Sequence, residues 1–194
     1  RKSPRFFGCW AGLPYHMGDF PEPEELLIKM REKNIVAAKI FPKSHNFEPN
    51  RRSIGELLKV FSREHIPLLV DASEITFNQI AELMEIEPEQ VVILQGLSWS
   101  MERFLFPLMD EFTGLSVEFS ALQSNEIIEI CYERYGPDRL FFGSGMPAKS
   151  PGAARALIDY ARIPDGDKAQ IAGGNLSRLI GVHLLEPEAS YQDP

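Results

Sequence analysis

Six times along this chain a short, almost wholly apolar run ends in a turn signal, and each is followed by a stretch that reads as a helix. The runs occupy 5–11, 36–41, 66–71, 91–95, 115–120 and 140–144. Runs this short, bounded by Gly, Pro, Asp or Ser, read as strands, and their near-continuous apolar text fits strands buried on both faces of a parallel sheet. The intervening text predicts helices over 22–33, from Ser53 onward, over 76–84, from Met101 onward, over 124–134 and over 151–161. The second is the clearest, with Ile54, Leu57, Leu58 and Phe61 three and four apart and Ser53 placed to cap it. Alternating strand and helix leaves two architectures, a (β/α)8 barrel and an open doubly wound sheet.

No glycine-rich phosphate fingerprint follows any of the runs. The nearest cluster, Gly173-Gly174, stands before a final helix, which argues against a nucleotide-binding open sheet. A whole barrel takes roughly 250 residues, so six units in 194 residues fit a TIM-like barrel represented by about its strands 3 to 8. The expectation is one domain over 1–183, with its first two strands upstream of Arg1, and a polar, proline-bearing tail over 184–194.

Composition narrows the function. A formal charge of −8 with 20 scattered basic residues disfavours a nucleic-acid partner, and no apolar run approaches the ~18 residues of a membrane span. Cys9 and Cys131 form no Cys-x-x-Cys pair and read as buried reduced thiols. No signal pattern opens the chain, so a cytoplasmic protein is expected. Nothing speaks against a homo-oligomer.

Two stretches carry a resemblance. Arg139-Leu140-Phe141-Phe142-Gly143-Ser144-Gly145-Met146-Pro147 is followed by Ile171-Ala172-Gly173-Gly174-Asn175-Leu176-Ser177-Arg178-Leu179. Together they resemble the last strand and final helix of the amidohydrolase-related TIM barrels, whose text runs Arg-Leu-Leu-Phe-Gly-Ser-Asp-x-Pro and then Ile-x-x-x-Asn-Ala-x-Arg-Leu. The resemblance extends almost end to end and implies a barrel whose chemistry sits at the carboxyl ends of the strands. It also implies metal ligands from the fifth, sixth and eighth barrel strands, as His, His and Asp. The corresponding positions here hold Asp71, Gln95 and Gly145, a weakened set. Zn or Fe is therefore expected only if the His-x-His motif of the first barrel strand exists upstream.

Polar and aromatic residues at the strand ends then become the candidate site. Asp71 could act as a general base or merely cap the helix that follows it. Lys39 sits in a run that reads as buried, where a charge is costly unless paired, so Asp71 or Glu118 is its expected counter-charge. Trp10, His16, His45, Gln95, Trp99 and Lys149 are the candidate substrate-binding residues. His65, in a helix-to-strand turn, is expected at the opposite end of the barrel.

The resemblance implies a hydrolase acting on a small polar or carboxylated molecule, working without the family's metal centre. Asp71 would be its base and Lys39 would hold an anionic group. The alternative is a catalytically inactive barrel serving as a small-molecule binder or assembly subunit.

Overall fold

The computed structural model describes residues 6–181. Six strands, β1 (Gly8–Gly12), β2 (Ile35–Ile40), β3 (Leu68–Asp71), β4 (Val92–Gln95), β5 (Leu115–Glu118) and β6 (Leu140–Phe141), form one sheet in sequential order, every neighbouring pair parallel. A doubly wound sheet reverses its strand order partway, whereas this order never reverses. With right-handed crossovers, each helix then lands on the same face of the sheet, as in a barrel. Among the described residues β1 and β6 do not pair with each other, so the six strands form an arc.

The helices are α1 (Pro23–Glu32), α2 (Arg51–Arg63), α3 (Phe77–Ile86), α4 (Glu102–Glu111), α5 (Ile127–Tyr135) and α6 (Pro151–Asp159). The short α7 (Asp165–Ala169) and α8 (Asn175–Leu179) follow, joined by a π-helical turn over Gln170–Gly174. No helix among the described residues is long and apolar enough to cross a membrane. The proposed tail, 184–194, lies outside the described residues.

Most of the predicted elements form, with shifts that have local causes. α2 starts earlier than expected because Asn50, not Ser53, is its cap. The Asn50 side chain accepts from the Ser53 amide while the Ser53 hydroxyl accepts from the Asn50 amide, which satisfies donors the first turn leaves open. α5 starts three residues late because Glu126 has φ +52°, outside right-handed helix space. β6 is only two residues long because Phe142 turns its amide to the Ile171 carbonyl, 3.1 Å away, and leaves the sheet.

The residues behind the resemblance turn out to be braces. The Arg139 guanidinium donates to the carbonyls of Met109, Phe112 and Leu115 at 2.8 to 2.9 Å, closing the end of α4 onto the start of β5. Asn175, buried, donates to the carbonyls of Pro137 and Leu140 at 2.7 and 2.9 Å and accepts from Arg178 at 3.1 Å. These bonds satisfy peptide groups beside a strand that has no neighbour on that side among the described residues.

The core lies between sheet and helices. Ala38, Ile40, Leu68, Val70, Val92, Leu94, Leu115, Val117 and Leu140 sit in register on one face, each at most 1% exposed. Burying each of the larger side chains contributes about 1.5 to 3 kcal/mol relative to exposure. The alternate residues face the other way and frame the site.

Candidate active site at the carboxyl ends of the strands

On that second face, Lys39 of β2 lies level with Leu69 of β3 and Ile93 of β4, while Asp71 and Gln95 pair one step beyond. Lys39 Nζ donates to Gln95 Oε1 at 2.8 Å and stands 5.3 Å from the Phe41 ring centre. The ammonium thus crosses β3 to reach an amide oxygen on β4. This corrects the expected carboxylate partner, since among the described residues no ion pair joins Lys39 to Asp71 or Glu118. Asp71 is spent elsewhere: its Oδ1 accepts from the amide and hydroxyl of Ser73, at 2.9 and 2.7 Å. That is a local turn of the kind aspartate favours, while Oδ2 has no hydrogen-bond partner among the described residues.

Glu118, at the end of β5, is 4% exposed. Its Oε1 accepts from the Ser120 amide at 2.5 Å and its Oε2 from the Ser120 hydroxyl at 2.8 Å. Burial pushes its carboxyl above the ordinary range, against the Ser120 hydrogen bonds and the charges of Lys149 and Lys39, which favour ionisation.

Each carboxylate lies against a glycine of the next strand's exit. A Cβ on Gly96, whose φ is +68°, would stand 2.5 Å from both Asp71 oxygens, and one on Gly143 would stand 1.8 Å from Glu118 Oε1. Only a residue without a side chain leaves these seats open.

Together Lys39, Asp71, Gln95, Glu118, Ser144 and Lys149 wall a cleft of about 520 Å³. A larger hollow, about 760 Å³, opens at the amino ends of the strands and includes His65, which is at the opposite end as expected. In the larger hollow Arg139 and Asn175 are committed to backbone carbonyls, whereas the smaller cleft gathers Lys39, Asp71, Glu118 and Lys149 at the carboxyl ends of the strands, and that position, rather than volume, marks it as the site.

Four of the eight sequence candidates, Lys39, Asp71, Gln95 and Lys149, meet in the cleft. The other four do not line it. Trp10 pairs with Ala38 and so points to the helix side, where it packs against the core. His16 is exposed and stacks on Tyr15, ring centres 4.3 Å apart; His45 is exposed and lies 5.3 Å from the Phe41 ring. Trp99, in a 3-10 turn, is 73% exposed. The sequence places Glu118 among the polar residues of the strand ends and as a counter-charge for Lys39, without singling it out as a site residue. The signal for more was a glutamate ending a buried strand two residues before a serine.

Gln95 Oε1 already receives Lys39, Gly145 has no side chain, and Asp71 has one oxygen without a partner among the described residues. Among the described residues no group of three or more His, Cys, Asp or Glu converges.

The architecture decides the comparison with known proteins. This chain has a TIM-barrel fold. No protein-family model matches it, and a search of curated proteins finds none similar. Solved structures do match. A TIM-barrel protein of Bordetella bronchiseptica superposes with TM-score 0.67 at 13% identity, covering 81% of this chain and 61% of the other. The 5-carboxyvanillate decarboxylase of Sphingomonas paucimobilis gives 0.64 at 14%, covering 83% and 63%. Amidohydrolase 2 of Bifidobacterium longum subsp. infantis gives 0.56 at 14%, covering 91% and 80%. The chain spans less than two thirds of the first two. At these identities the likeness shows the fold alone.

Proposed function

We propose that the chain is an amidohydrolase-superfamily barrel that acts on a small carboxylated molecule at this cleft, by hydrolysis or a related decarboxylation, without the family's metal centre. The observation that carries the reading is the Lys39 ammonium, fixed on Gln95 at the floor of a cleft that Lys149 also walls. A planar carboxylate would pair with these two cations, and a charge-assisted hydrogen bond contributes about 1.5 to 3 kcal/mol. Asp71, whose Oδ2 has no partner among the described residues, would take the proton from an attacking water. The names of the solved relatives, a carboxylate-bearing decarboxylase substrate among them, favour this substrate class.

The test is turnover of a lactone and ester panel with and without Asp71→Asn, alongside elemental analysis of the protein. The expected result is Asp71-dependent hydrolysis with substoichiometric metal. Stoichiometric Zn or Fe would overturn the metal-free part.

One observation favours the second reading, an inactive binding barrel: Asp71 Oδ1 and Lys39 are each already used by a neighbour, Ser73 and Gln95. No turnover by either wild type or Asp71→Asn would establish it.

A further inference from the structure

We propose that Glu118 binds the ligand as a carboxylic acid, so that each carboxylate entering the cleft brings one proton with it. The inference rests on the reading of the cleft as a carboxylate site and names the group that selects for that charge.

Charge balance leads to it. The titratable groups that face Glu118 are Lys39 on β2, Asp71 on β3 and Lys149 in the loop after β6, with the Cys9 thiol of β1 also in the field of Lys39. With both lysines and both acids ionised, the charges cancel. A ligand carboxylate would make three anions against two cations in a cleft where Glu118 is buried, Lys39 and Asp71 are half-buried and Lys149 is exposed. Neutralising the most buried carboxyl is the least costly remedy. That group is Glu118, at 4% exposure, whereas Asp71 is half-buried and held by the Ser73 turn.

The local geometry can hold a proton without rebuilding. It goes on Oε2, whose Ser120 partner is a hydroxyl able to turn its own hydrogen away, while Oε1 keeps the Ser120 amide. The acid then donates O–H to the ligand carboxylate. One proton is taken from solvent per ligand bound, and no covalent bond to carbon forms or breaks. Gly143 keeps the acid in place, because any larger residue there would occupy the position of Oε1. A purely structural Glu118, serving only to tie the Ser120 turn, would give no proton linkage.

The experiment is calorimetric titration of the protein with benzoate and malonate, with benzamide as neutral control, in buffers of different ionisation enthalpy across pH 5 to 8. Wild type is expected to take up about one proton per carboxylate where free Glu118 is ionised, its affinity falling about tenfold per pH unit there. Glu118→Gln keeps an N–H donor and should bind the same probes with no uptake and a flat pH profile. Should that variant not fold, the 13C signal of the wild-type Glu118 carboxyl serves instead, its titration midpoint moving upward on saturation with benzoate. Binding without proton uptake, uptake that persists in Glu118→Gln, or an unmoved carboxyl midpoint would each overturn the proposal and leave the cleft reading standing. No binding of either carboxylate would overturn both.

Discussion

The two faces of one sheet behave as though they belonged to different proteins. On the helix side every strand residue in register, from Ala38 through Val117 to Leu140, is apolar and sealed. On the other side the same strands alternate Lys39, Leu69, Asp71, Ile93, Gln95, Ser116 and Glu118, with exposures from sealed to half-open. A sheet's side-chain period of two puts these sets on opposite faces. The first set must satisfy packing alone, so it tolerates only volume-conserving change. The second is freed from that duty near the strand ends and can hold charge. The braces follow the same division: Arg139 and Asn175 tie backbone on the structural side, and Gly143 to Met146 of the stretch from Arg139 to Pro147 line the cleft.

Mutation can break that contrast or sharpen it. The largest effect is expected from Leu94→Ala on the sealed face, a loss of about 2 to 5 kcal/mol in urea unfolding, against under ~1 kcal/mol for Leu69→Ala on the half-open face. Equal losses would mean the cleft face is as tightly packed as the helix face.

Next comes Gly143→Ala. The added Cβ cannot coexist with Glu118 Oε1 in its present place, so about 1 to 3 kcal/mol should be lost. The double change with Glu118→Ala should recover most of it. Failure to recover would move the clash to the backbone.

Lys39→Ala should weaken benzoate binding roughly tenfold or more, the loss of one charge-assisted bond, while changing stability far less than Leu94→Ala. Unchanged binding would remove Lys39 from the site.

The smallest effect is in pH dependence. The folded-state pKa of Glu118 is raised, so its contribution to stability is present in acid and fades as pH rises through the folded value. Thermal melts of Glu118→Gln against wild type should diverge in the acid range and show this decline missing from the variant. Parallel melting curves would mean that Glu118 titrates as it does unfolded.

The sequence shows the site unevenly, for reasons visible at single residues. Lys39 stands out because a charge inside an apolar run needs an explanation. Its partner does not, because reaching Gln95 means crossing β3, and the stagger between strands that permits this is a property of the assembled sheet. Trp10 misleads for a related reason. The register between β1 and β2 shifts between Gly8 and Cys9, and parity counted from the expected start of the strand does not say which face the indole takes. His16 and His45 sit in loops whose direction no periodicity constrains. Glu118 was visible as a strand-end acid, but its seat depends on Gly143, a glycine 25 positions away in sequence that could equally have served its own turn.

By itself the sequence determined the order and kind of the elements, and with them the layered α/β architecture. Hydrophobic period and turn chemistry are local, and six repeats of strand and helix leave few ways to fold. The tertiary structure alone decided which side chains meet: Lys39 with Gln95 rather than a carboxylate, Asp71 turned to Ser73, and Glu118 set opposite Gly143. Those contacts join residues from different strands, and their distances are fixed by register, stagger and the absence of a Cβ, none of which a one-dimensional pattern encodes.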